Sequence, residues 1–121
     1  MAIGSKRLVV GAHYGLRDWL AQRLTAIILI AYVLLLVVRL VVTRSHGAIG
    51  YDEWAGLFVP VWMKVCTLTA FFGLVYHAWI GMRDVWMDYV RSTGIRLGLY
   101  FLTILWLVFC AIWAAQILWS V

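Results

Sequence analysis

Three long apolar runs decide what this chain can become. The first is "LTAIILIAYVLLLVVRLVV", Leu24 to Val42. The second runs from about Val59 to Met82 and continues in helix-compatible sequence to about Tyr89. The third is "LGLYFLTILWLVFCAIWAAQILW", Leu97 to Trp119. A helix needs about 20 mostly apolar residues to cross the hydrocarbon core of a bilayer. Inside lipid every backbone amide must be bonded within the protein, and three spans cannot close a barrel. The expected fold is an all-α integral membrane protein with three transmembrane helices, approximately 22–43, 58–89 and 95–120. Residues 1–121 form a single membrane domain in this reading.

Composition agrees. Hydrophobic residues make up 66% of the chain and charged residues 12%, where a soluble domain carries about a quarter charged. The net charge of +5 does not call for nucleic acid, because the basic residues sit at the ends of the apolar runs. There they report orientation. Lys6, Arg7, Arg17, Arg23, Arg83, Arg91 and Arg96 fall on one side, and Arg39, Arg44 and Lys64 on the other. Positive residues prefer the cytoplasmic face. The N-terminus is therefore expected inside, and the first loop and the C-terminus outside. Arg39 and Lys64 can reach the outer interface along their own stems. A cleavable signal peptide would have an apolar core of about 7–15 residues and a small-residue cleavage site, and the first run fits neither. Cys66 and Cys110 lie within apolar runs, without metal-ligand spacing or a disulfide framework, and read as small hydrophobes. Trp62, Trp86 and Trp119 read as interfacial belt or packing residues.

The joints are polar. "TRSHGAIGYDEW" separates the first two spans, Pro60 can stand in the first turn of the second helix, and "RSTG" precedes the third span.

The second span ends unusually, in "YHAWIGMRDVWMDYV", residues 76–90. His77 lies about 16 Å deeper than Asp88 along a helix. Gly81, Asp84 and Asp88 follow it on nearly the same face, and Gly73 precedes it by one turn. Two readings compete for His77. It is either a neutral histidine bonded to a neighbouring helix or an axial ligand to haem iron, with the two glycines leaving open surface beside the ring. Neutral imidazole suits both roles. Asp88 and Tyr89 either mark the helix end in the headgroup layer or hold and protonate a quinone carbonyl, a task that needs a donor within hydrogen-bond reach. Arg23 is either one more positive-inside charge or the partner of an anion such as a haem propionate. His13 and His46 read as solvated.

A different class of function also uses these residues. His77, Asp84 and Asp88 on one helix face could form a proton relay in a small channel or transporter subunit. That reading needs a polar stripe through the whole bilayer. Outward of His77 the helix offers only Thr67, Thr69 and Gly73 among apolar residues. A bare scaffold without a cofactor is a third reading, and it needs neither the deep histidine nor the Asp-Tyr pair.

"HAWIGMRDVWMDYV", with "KVCTLTAFFGLVY" before it and "RLTAIILIAY" in the first span, resembles the hydrophobic D-type membrane anchor subunits of bacterial succinate dehydrogenase, respiratory complex II. The resemblance covers most of the chain, and "HAWIG…DYV" is its specific part. It implies half of a heterodimeric anchor bundle in the bacterial inner membrane, N-terminus cytoplasmic and C-terminus periplasmic. The implied partners are a second membrane anchor (cytochrome b) subunit, an iron–sulfur subunit, a flavoprotein subunit and the lipid bilayer. It implies a b-type haem shared with the second anchor subunit and a quinone substrate, with ubiquinone the expectation. His77 matches the haem-ligating histidine and Tyr89 the tyrosine that bonds a quinone carbonyl. Asp88 matches an aspartate lining the quinone pocket on the proton path, and Arg23 an arginine near the haem propionates. Asp18 matches an acidic residue without an assigned role. No succinate chemistry is expected in this chain itself, and no catalytic residue is assigned. Arg83 and Asp84 stand where uncharged residues are expected, and facing the headgroups or the iron–sulfur subunit is the favoured reading for both.

Overall fold

A computed structural model describes residues 12–121. Among them it has no strand and four helices: α1 (Ala12–Ser45), α2 (Tyr51–Gly56), α3 (Val61–Tyr89) and α4 (Thr93–Ser120). α1, α3 and α4 are each long and apolar enough to cross a membrane, so this is an all-α, multi-pass membrane protein. Lys6 and Arg7, counted toward orientation, lie outside the described residues.

At 1.5 Å per residue the 34 residues of α1 span about 51 Å. The hydrocarbon core is about 30 Å thick, so α1 extends well beyond it. The extra turns carry Asp18, Gln22 and Arg23. The helix begins well before the apolar run because "LRDWLAQRL" holds no proline and only good or neutral helix formers.

The first joint contains a helix that the apolar pattern did not announce. α1 ends where Gly47 turns at φ 152°, a backbone region that side chains disfavour. α2 then starts at Tyr51, its first turn carrying Asp52 and Glu53. Glu53 accepts the Gly50 N–H at 2.8 Å, and acidic residues suit a helix N-terminus. Pro60 caps α3 and does not enter it, its carbonyl accepting the N–H groups of Met63 and Lys64. α3 stops at Tyr89 because Val90 is extended.

The three long helices lie in a row. α3 stands in the middle with α1 against one side and α4 against the other, while α1 and α4 share no extensive contact. The α1–α3 seam is regular. Its contacts join Asp18 to Arg83, Thr25 to His77 and Tyr32 to Thr67. Between them, Gly81 faces Gln22 and Gly73 faces Ile28. The α1 positions 18, 22, 25, 28 and 32 step by four, three, three and four, the seam of a left-handed helix pair. Small residues let such backbones approach in lipid. A Cβ on Gly73 would lie 3.7 Å from Ile28 Cγ2, and one on Gly81 3.8 Å from Gln22 Nε2. These glycines therefore do not leave bare surface beside His77, because α1 fills it.

On the other side, Trp86 donates its indole N–H to Thr103 at 3.0 Å. Trp79 meets Tyr100 edge-on at 5.9 Å. Trp86 is thus an α3–α4 packing residue. Arg39 folds back onto the outer joint. It lies over Trp62 at 5.0 Å and donates to the Leu57 carbonyl at 3.3 Å. Few side chains are fully covered: Leu57, Met63, Ala70, Ile80 and Leu118 are the buried hydrophobic ones among the described residues. Cys66 and Cys110 are half-buried free thiols.

Candidate functional site

Toward the N-terminal end of α1 the row opens into a groove of about 620 Å³ between α1 and α3. His77 lines it from α3, Arg23 from α1, and Asp18, Gln22, Arg83 and Asp84 complete its polar wall. The fold thus brings His77 and Arg23 together. Asp88 and Tyr89 are exposed at the end of α3 and do not line this groove. Tyr89 is 82% exposed, so nothing within the described chain covers its phenol.

His77 is half-buried, and its Nδ1 lies 3.0 Å from the hydroxyl of Thr25 on α1. The reading of His77 as a residue bonded to a neighbouring helix is therefore realised in the geometry. It does not compete with metal ligation, because an imidazole has two nitrogens and this contact occupies one. Arg23 is exposed, its guanidinium 5.4 Å from the centroid of the Trp19 ring. Among the described residues it makes no ion pair, which leaves its charge available to a group entering the groove.

Arg83 departs from the expected headgroup-facing position. It turns into the seam, 26% exposed, and pairs with Asp18 across the helices and with Asp84 at 3.3 Å. The cause is register: Asp18 and Arg83 stand opposite one another on antiparallel helices, so opposite charges meet at one membrane depth. Asp84 is thereby tied to Arg83. Asp18, without a role in the sequence, is the residue that holds Arg83. Arg83 Nε and Gln22 Oε1 are both buried without a hydrogen-bond partner. One unsatisfied donor and one unsatisfied acceptor thus line the groove, a costly arrangement unless an entering group or water meets them.

Sequence reasoning missed three participants: Thr25, Gln22 and the Asp18–Arg83 pair. The pair had a signal, an acid and a base at matched distance from the joint. Thr25 had only its polarity within an apolar run.

The outer joint holds a second hollow of about 340 Å³, lined by Tyr51, Trp54, Phe58, Ile117 and Leu118 among others, with no charged side chain. His46 is exposed in that joint, as expected. The side chain of His13 lies outside the description.

The Asp18–Arg83 pair yields a prediction. Both partners keep some solvent access, 35% and 26%, so each single change, Asp18→Asn or Arg83→Leu, is expected to cost about 1 kcal/mol. The double variant should recover part of that loss. Thermal unfolding of the purified protein in detergent, read as a double-mutant cycle, measures the coupling. Strict additivity of the two losses would make the contact incidental.

Comparison with known proteins agrees with this architecture. Residues 2–114 match the family described as succinate dehydrogenase/fumarate reductase transmembrane subunit. A curated relative from Coxiella burnetii (strain RSA 493 / Nine Mile phase I), named succinate dehydrogenase hydrophobic membrane anchor subunit, is 42% identical over 105 residues. That alignment covers 87% of this chain and 89% of the relative. With three membrane-length helices and a match over nearly the whole sequence, the chain belongs to the transmembrane subunits of succinate dehydrogenase and fumarate reductase.

Proposed function

We propose that this chain is the hydrophobic membrane anchor subunit of a succinate:quinone oxidoreductase in the bacterial inner membrane. It tethers an iron–sulfur subunit and a flavoprotein subunit to the cytoplasmic face, N-terminus inside and C-terminus periplasmic. With a second anchor (cytochrome b) subunit it holds a b-type haem, to which His77 contributes one axial ligand. Tyr89 and Asp88 form part of the site where quinone, taken as ubiquinone, is reduced.

The observation that carries this reading is the placement of His77 beside Arg23 in one open groove, with Nδ1 engaged by Thr25 and Nε2 unassigned. A free Nε2 lone pair is what a haem iron needs from a histidine. Arg23 stands ready for the negative charge of a propionate. The residues present thus fit one half of a haem site. His77 is the histidine of the groove and would hold the iron from this chain, any further protein ligand having to be supplied by a partner subunit. When bound, the haem supplies a one-electron store between soluble clusters and quinone.

The remaining work belongs to side chains. Reduction of a quinone to a quinol takes two electrons and two protons. Tyr89 donates a hydrogen bond to a quinone carbonyl, which becomes stronger as negative charge grows on that oxygen. Asp88 holds a proton next to it and is reprotonated from the cytoplasmic interface, so that it can deliver both protons in turn. Exposure of both at the helix end supports a pocket whose other walls come from partner subunits. Succinate oxidation takes place in the flavoprotein and not in this chain.

Affinity purification from membranes through a tag on this chain tests the proposal. The flavoprotein, iron–sulfur and second anchor subunits are expected to co-purify with succinate:quinone reductase activity. A dithionite-reduced minus oxidised spectrum is expected to show a sharp low-spin b-type signal. Purification without those subunits would overturn the anchor reading, and a complete complex lacking the signal would overturn the haem reading alone.

A further inference from the structure

Thr25 is the buried polar side chain among the described residues, 8% exposed within an otherwise apolar stretch of α1. Its single hydroxyl proton has three neighbours: the Ala21 carbonyl at 2.7 Å, the Gln22 carbonyl at 3.2 Å and His77 Nδ1 at 3.0 Å. A carbonyl accepts and never donates. If the proton pointed at Nδ1, Oγ1 and the Ala21 oxygen would meet lone pair to lone pair at 2.7 Å. The proton therefore lies toward the carbonyls of the preceding turn, a common back-bond of helical threonine. Oγ1 then faces Nδ1 with a lone pair, and Nδ1 must carry the hydrogen. A neutral imidazole holds one N–H, so Nε2 is left bare on the other side of the ring.

From this we infer that Thr25 is a positioning residue for His77. It holds the imidazole in the Nδ1–H tautomer and fixes the ring plane from a neighbouring helix, so that the Nε2 lone pair is presented to iron without a rotamer or tautomer change. The tautomer follows from the contacts alone, and its consequence for iron rests on the haem reading above. An acceptor on the distal N–H makes the imidazole a stronger donor to the metal. Stronger donation favours the ferric state and lowers the reduction potential, because axial-ligand basicity and the hydrogen bonding behind it are main determinants of that potential. The same contact ties α1 to α3 at the depth of the ligand, so ligand orientation and helix register are set together.

Two substitutions separate the hydroxyl from its bulk. Thr25→Val keeps the shape and removes the acceptor. Thr25→Ser keeps the acceptor and removes a methyl group. Both are made in the complete complex, with His77→Leu alongside. The readouts are a redox titration of the haem followed in the visible spectrum and the low-temperature electron paramagnetic resonance of the ferric form. Thr25→Val is expected to raise the midpoint potential and shift the low-spin resonance, while Thr25→Ser stays at the wild-type values. Haem loss confined to Thr25→Val carries the same conclusion. An unchanged or lowered potential in Thr25→Val overturns the inference, as does a serine variant that behaves like the valine one. If His77→Leu retains the wild-type low-spin signal, the ligand assignment itself falls, which is a different failure from an inert Thr25.

Discussion

In His77→Leu, the purified complex is expected to lose the sharp reduced low-spin band entirely, with haem either absent or converted to a high-spin form. A low-spin b-type centre needs two strong axial ligands, and leucine offers none. The fold of this chain has little reason to fail with it. Leucine fills much of the volume of imidazole, and the Thr25 hydroxyl keeps its bond to the Ala21 carbonyl. The loss of the Thr25–His77 contact costs about 1 kcal/mol, too little to separate helices that also meet at Asp18–Arg83 and Tyr32–Thr67. Equal amounts of assembled subunits, checked on a gel, make the spectrum interpretable. A low-spin band of wild-type size in that sample would remove His77 from the iron.

Tyr89→Phe is expected to lower succinate:quinone reductase activity by about 10-fold to 100-fold, the loss of about 1.4–2.8 kcal/mol of transition-state stabilisation. A donor aimed at the oxygen on which charge develops is worth that much. Succinate-dependent reduction of a soluble dye, which takes electrons before they reach quinone, should stay unchanged. The structure makes this variant clean. Tyr89 is 82% exposed, so removing its hydroxyl breaks no bond inside the described chain. Equal loss in both assays would point to damaged assembly, and equal retention would take Tyr89 out of the quinone site.

The helices were legible because lipid imposes a simple requirement: length and apolarity, with every amide bonded internally. Their number and order could be read from the three runs without further help. The faces could not. A period along one helix says which residues share a side but not what stands opposite. Gly73 and Gly81 illustrate this: both lie one turn from His77, as the sequence says, yet the space beside them belongs to Ile28 and Gln22. Arg83 was misplaced for the same reason. A charge near a span end ordinarily points to headgroups, and only the register of α1 against α3 reveals that Asp18 waits opposite. Thr25 was hidden most completely, since one hydroxyl in an apolar run has many possible uses. The short α2 was missed because its helix signal, Gly50 with Glu53 three residues on, sits in a stretch rich in glycine.

The Asp18–Arg83 contact gives one side chain two successive duties. While the chain is being threaded into the membrane, α1 and α3 have not yet met, and Arg83 acts as a bare cation. Acidic residues contribute little to orientation, so at that stage Asp18 does not subtract from it. On the proposed topology Arg83 then helps retain the end of α3 on the cytoplasmic side. Once the hairpin closes, the same guanidinium is paired with both Asp18 and Asp84, whose two carboxylates more than offset its charge. On that topology a charge that would help set orientation is thereby withdrawn from the field of the groove, where Arg23 makes no ion pair among the described residues.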